Sequence, residues 1–218
     1  MKQILLFMVL TMCLSCTRTC IALNFCDAEY QTNKNSCFVI NNDTGVKYIF
    51  YPPSFINSGG WGYLGGTILI TDKEGKEPIV STVYIDREQP RGKEMDQFIL
   101  NERKDSLLWK KLLNQGVKID YWGTKTYKVI TKSKFVLAPD KEKTISKKIS
   151  IFKKDLESSG AYYTFDKKKD YFIQVELNFD RTEVKKYLPE EQLDSLKKNN
   201  IKIFHGILKT KKIPLILD

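Results

Sequence analysis

The chain reads as a mainly β protein: an antiparallel β-sandwich with two helical insertions, preceded by an N-terminal signal segment. Three observations predict this. In Tyr171–Asp180, the residues Tyr171, Ile173, Val175, Leu177 and Phe179 alternate with Phe172, Gln174, Glu176, Asn178 and Asp180, the period of two that a half-buried strand requires. Short apolar runs punctuated by turn residues recur from Ser36 to Leu217, as in a sheet protein with many connections. Only two stretches, near 96–114 and 189–198, switch to helical spacing and helix-end chemistry.

The order along the chain begins with export. Lys2 precedes an apolar run, Ile4 to Leu14, too short to span a bilayer but suited to the core of a signal peptide. Residues 1–15 are therefore read as signal, 16–35 as an N-terminal arm and 36–218 as one domain. Leu14-Ser15-Cys16 resembles the end of a lipobox, which makes Cys16 the candidate for lipidation and membrane anchoring. The usual pattern places leucine three residues before that cysteine, where this chain has Cys13. Cleavage after Ala22 and an uncleaved anchor are the alternatives.

All five cysteines fall within the first 37 residues. Cys26 and Cys37 remain after either cleavage, and in an oxidising compartment they are candidates for a disulfide that staples the arm to the first strand. Two unbridged thiols are the alternative. Lipidation of Cys16 would leave Cys20 odd; cleavage after Ala22 would leave an even count.

Strands are predicted over Ser36–Asn41, Val46–Tyr51, Gly66–Thr71 and Ile79–Ile85. Asn41–Gly45 reads as a hairpin turn and Lys73–Lys76 as the next turn. Asp96–Lys111 has helical spacing, with Asp105 read as the cap of a turn that closes near Gly116. Val117, Ile119 and Tyr121 alternate again. Phe135–Leu137 leads into a turn at Pro139-Asp140, and Ile145, Ile149 and Ile151 lead out. Tyr162–Phe165 precedes the Tyr171 strand. Pro189–Lys198 is the second helix, with glutamates first and lysines last, as the helix dipole favours. Ile201–Lys209 and Ile213–Leu217 close the chain around Thr210-Lys211-Lys212.

Phe135-Val136-Leu137, the Pro139 turn, Tyr171–Val175 and Phe204–Ile207 together resemble the later strands of immunoglobulin-like domains in small bacterial exported proteins, a layout shared by the intracellular proteinase-inhibitor family. The resemblance covers about Phe135 to Leu217 and is one of pattern. It implies an immunoglobulin-like fold and carries over no functional residue. Where the family turn often has glycine after proline, this chain has Asp140.

The chemistry-bearing residues are sparse. His205 is the only histidine, and alternation places it between Ile201, Ile203 and Ile207 as a packed side chain near a sheet edge. Ser150–Lys153 and Ser195–Lys198 have the S-x-x-K spacing of penicillin-binding enzymes, without the Ser-Asp-Asn or Lys-Thr-Gly that accompany it. The cysteine and histidine spacing matches no common zinc site, and no cofactor is expected. Asn42-Asp43-Thr44 fits a glycosylation sequon, but the lipobox-like start argues for a bacterium, where that match means little.

Ser58–Gly66 is glycine-rich around Trp61 and Tyr63, two aromatics that suit a partner-binding loop or fold back onto the core. With 36 Lys+Arg against 26 Asp+Glu, the net charge is +10. Lys141, Lys143, Lys147, Lys148, Lys153, Lys154 and Lys167–Lys169 are candidates for a basic face toward anionic lipid or acidic glycan. No nucleic-acid motif is present. The reading is a non-enzymatic cell-envelope lipoprotein that faces the periplasm and binds an envelope protein or a glycan. An enzyme-blocking inhibitor or immunity-type protein is the alternative, and an envelope hydrolase the second.

Overall fold

The structure, a computed structural model, describes residues 20–32, 34–52, 54–55, 65–84, 89–147, 149, 151–155 and 160–217. Cys16, Trp61 and Tyr63 lie outside the described residues. The protein is mainly β, with antiparallel and parallel pairings.

The centre is the strand that the sequence singles out. Strand β11 (Tyr171–Phe179) buries Tyr171, Ile173, Val175, Leu177 and Phe179 and leaves Asn178 exposed. It lies between β6 (Gly65–Asp72) on one side and both β13 (Gly206–Lys209) and β14 (Ile213–Ile216) on the other, all antiparallel to it. The outer strands of this sheet, β2 (Tyr30–Gln31) on β14 and β5 (Ser54–Phe55) on β6, pair in parallel.

Thr210-Lys211-Lys212 is not a turn between strands. Strands β13 and β14 run along the same edge of β11, and the pairing shifts by one residue between Glu176↔Lys209 and Ile173↔Ile213. This is a β-bulge. Thr210 sustains the ladder through it: its N–H donates to Val175 O at 2.9 Å, and its Oγ1 accepts from Val175 N at 3.0 Å.

A second sheet joins β1 (Ile21–Phe25), β3 (Ser36–Asn42) and β9 (Lys141–Lys147), all antiparallel. Residues read as an arm thus supply β1 and β2, and with them Leu23 and Tyr30 of the core. The Cys26 and Cys37 sulfurs stand at disulfide distance, 2.01 Å, at the end of the β1–β3 ladder. A third sheet joins β12 (Ile201–Ile203), β4 (Lys47–Phe50) and β8 (Phe135–Leu137), with β12 parallel to β4. A ribbon pairs β7 (Ile79–Val83) with β10 (Gly160–Thr164). Side chains from all four sheets enter one core, rich in aromatics: Phe50 packs against Phe135, Phe179 and Phe204 with ring centroids 4.7–5.6 Å apart.

Asn41–Gly45 does not close a hairpin, because β3 and β4 belong to different sheets. Asn42 explains the crossing. It is wholly buried, and its amide donates to Val46 O at 2.8 Å and Ala138 O at 3.0 Å while its Oδ1 accepts from Thr44. That burial also removes the sequon as an acceptor site in the folded chain. Asp140 sits at φ 54° and donates its N–H to Asn42 O at 2.8 Å. Asp tolerates this left-handed geometry better than most residues.

Helices are more numerous than expected: α1 (Lys93–Asn114), α2 (Tyr121–Lys132), α3 (Arg181–Tyr187) and α4 (Glu190–Lys198). The predicted segments are α1 and α4. Tyr121 does not extend an alternating strand. It opens α2, because Asp120 accepts from Gly123 N at 2.7 Å as an N-cap. Asp180 caps α3 in the same way, accepting from Thr182 N and Glu183 N. Asp105 caps nothing: it is buried within α1 and pairs with Lys128 Nζ at 2.6 Å.

Beneath α2, α3 and α4 lies a smaller core of Ile49, Tyr51, Ile130, Val184, Tyr187, Leu188 and Ile203. There burial, then the neighbouring Tyr127, pushes the Tyr51 phenol up to about 12.

Candidate functional site

A concave surface among the described residues gathers lysines of the second half of the chain over an aromatic floor. Three segments build it. Phe152 leads into a single 3-10 turn, Lys153–Asp155. The connection from β10 to β11 turns at Asp166, whose Oδ1 accepts from Lys168 N at 3.0 Å and whose carbonyl accepts from Lys169 N at 3.1 Å. The third segment is the end of β14, with Leu217 beyond it.

These segments bound two adjoining hollows. One, of about 530 Å³, lies between Lys167, Lys169, Phe172 and the Pro214–Leu217 segment. The other, of about 440 Å³, lies between Phe152, Lys153, Lys154, Tyr162 and Phe165. Lys167 and Leu217 line both, so together they form one trough.

The floor is held from below. Phe165 meets Phe152 at 5.7 Å and Tyr171 at 5.0 Å between ring centroids, both edge-on, and Tyr163 at 6.0 Å. Tyr163 and Tyr171 belong to the main core, whereas Phe152 and Phe165 are half-buried. The floor is therefore preorganised by core packing and leaves ring surface facing the trough. The Tyr171 hydroxyl accepts from Asp166 N at 3.2 Å and ties the lysine turn to the central strand.

The electrostatics divide the lysines into two groups. Lys169 donates to Asp72 Oδ2 at 2.7 Å, and Lys73 pairs with Asp170 Oδ2 at 2.7 Å. These crossed pairs clamp the β6 turn to the start of β11. The Lys169 ammonium and then the Lys76 N–H hold the Asp72 carboxyl below its ordinary range, and the Asp72 carboxylate in return raises Lys169. Asp72 also organises its own turn, accepting from Glu74 N and Lys76 N on Oδ1. By contrast Lys153, Lys154 and Lys167 make no ion pair among the described residues. Lys154 Nζ lies 5.4 Å from the Phe152 ring centroid, a cation–π distance.

The trough thus offers unpaired cations above half-exposed rings. That arrangement has the chemistry to hold an anionic ligand with an apolar or sugar face. Its neighbouring carboxylates Asp72 and Asp170 are engaged in structural ion pairs. Among the described residues, no group of three His, Cys, Asp or Glu side chains gathers as a metal site.

The sequence-derived candidates scatter. Cys26 and Cys37 meet each other, on the β1–β3 ladder. His205 is not packed between isoleucines. The chain leaves one sheet at Ile203 and enters another at Gly206, whose φ is 145°, so alternation breaks at Phe204-His205. His205 is exposed, and its Nδ1 accepts from Arg181 N at 3.3 Å beside the start of α3. Of the predicted basic face, Lys153, Lys154, Lys167 and Lys169 line the trough, while Lys141 and Lys143 stand on β9 in another sheet. The aromatics of the floor were not read as site residues. The signal for them was local: Phe152 directly before two lysines and Phe165 two residues before three.

No family model matches the chain, and neither a curated protein nor a solved structure matches it.

Proposed function

We propose that this protein is a non-enzymatic cell-envelope lipoprotein, anchored through Cys16, whose strands form an immunoglobulin-like sandwich that binds acidic glycan in the lysine-rimmed trough. The observation that carries the reading is the pairing of unpaired Lys153, Lys154 and Lys167 with the half-buried rings of Phe152 and Phe165. Aromatic faces stack on the C–H faces of sugar rings, and ammonium groups meet the carboxylates of uronic acids. The sandwich part rests on Phe38 and Ile40 of one sheet sharing a core with Ile173, Val175 and Leu177 of another.

Anchoring at Cys16 draws support from β1. Cleavage after Ala22 would remove Ile21 and Ala22, which pair with Asn42 and Asn41. Cleavage before Cys16 leaves that ladder whole. Intact-mass measurement of the mature N-terminus tests this: a lipid-bearing Cys16 is expected, and a free Leu23 start overturns it.

Binding is tested by titrating the protein with a uronic-acid oligosaccharide and with its neutral counterpart. The acidic sugar should bind and the neutral one should not. Lys154→Ala with Lys167→Ala should weaken binding by about tenfold or more, because each exposed cation contributes on the order of 1 kcal/mol. Equal binding of both sugars, or no effect of the double substitution, would overturn the proposal.

A further inference from the structure

Helix α1 is the longest helix among the described residues, 22 residues or about 33 Å at 1.5 Å per residue. Its two sides carry different charge. The inner side faces α2 and holds the acids: Glu102 accepts from Tyr121 and Lys125, and Asp105 pairs with Lys128. Trp109 Nε1 donates to Ile119 O at 2.9 Å on the same side. Tyr121 and then Lys125 hold Glu102 below its ordinary range, and both carboxylates are already matched by partners on α2. The contacts also fix the roll of the helix about its axis.

The outer side is the stripe at positions 93, 96, 100, 103, 104, 107, 110, 111 and 114, spaced three and four apart. Every residue of it is exposed. It contains Lys93, Arg103, Lys104, Lys110 and Lys111 against the single carboxylate Asp96, and none of the five cations has an ion-pair partner among the described residues. Between them stand Leu100, 45% exposed, and Leu107, 68% exposed, one heptad apart.

We infer that this face of α1 lies on an anionic lipid bilayer. A bilayer surface supplies both things the stripe lacks: phosphate charge for five unpaired cations and an apolar layer for two leucines set among them. The match is one of extended charge complementarity along the helix. No helix among the described residues is long and apolar enough to cross a membrane, so α1 meets the bilayer lying flat. The lipid-anchored reading supplies the encounter; the helix face supplies the orientation, holding the domain at a fixed roll on the surface.

The test is hydrogen exchange on the protein as purified from the cell, bound to vesicles of phosphatidylcholine alone or with roughly one-third phosphatidylglycerol. Exchange over 93–114 should slow several-fold only on the anionic vesicles. Lys104→Glu with Lys111→Glu should abolish that slowing and leave the thermal midpoint unchanged, because both side chains are exposed and unpaired. Leu100→Ser with Leu107→Ser should reduce it. Equal exchange on the two vesicle types overturns the inference, as does slowing that appears only when an acidic protein partner is added. The anchor is judged separately by the N-terminal mass, so either reading fails without the other.

Discussion

Strand β4 divides two cores that are built differently. On one side Tyr48 and Phe50 join the main core, where Phe50 is fully buried and stacks on Phe135 and Phe204. On the other, Ile49 and Tyr51 meet Ile130, Val184 and Leu188 under the helices. The main core is closed by ladders between residues far apart in sequence, Gly66 with Leu177 and Phe38 with Ile145. The smaller core is capped by three short helices, of which α4 has no buried residue. The difference teaches that one strand can serve a cooperative sheet core and a locally stabilised helical cover at once.

The largest effect should come from Phe50→Ala, which opens a cavity where three rings converge. A loss of about 4 kcal/mol is expected in urea unfolding, with β11 and the helices losing protection together. Next is Ile130→Ala, at about 3 kcal/mol. Its hydrogen exchange should quicken in α2, α3 and α4 while β11 stays protected; equal loss in β11 would merge the two cores into one cooperative unit.

Breaking the staple of the main core, Cys26→Ser with Cys37→Ser, should cost on the order of 2–3 kcal/mol. The change should read out as faster exchange in β1 and β3, and unchanged stability would show that the ladder alone holds this edge.

The smallest effect concerns acid. Lys169 depresses the folded Asp72 carboxyl, so its contribution is complete above the ordinary carboxylate range. It is lost as pH falls below that range through the depressed folded value. Asp72→Asn should flatten this limb of the stability–pH curve and leave the neutral-pH helices untouched. An unaltered limb would remove Asp72 from the account.

The same comparison explains what could be read in advance. Tyr171–Phe179 was legible because one face is buried and the other is partly wet, so alternation shows. β4 shows no alternation, since both of its faces are covered. Its partners come from helices whose start signals are short: Asp120 before α2, and Asp180 with Glu183 three residues on before α3. Asp105 reads as a cap because Ser106-Leu107-Leu108-Trp109 follows it; its pairing with Lys128, from the next helix, is what accounts for it inside α1. Of the trough, the lysines were visible as composition. The floor was not, because Phe152, Phe165 and Tyr171 meet only once β11 and the segments around it are folded together.

The bulge at Thr210 has a consequence for how the C-terminal strand tolerates change. Leu208 and Leu215 both point into the core, yet one occupies an even and the other an odd position. The extra residue between them reverses the parity, so the last strand is in a different reading frame of inside and outside from the one before it. Straightening this segment with every residue kept would restore an unbroken ladder and turn Leu215 toward solvent with Pro214 facing in. A perfected strand here would be an inverted one, and the irregular threonine is what keeps the end of the chain the right way out.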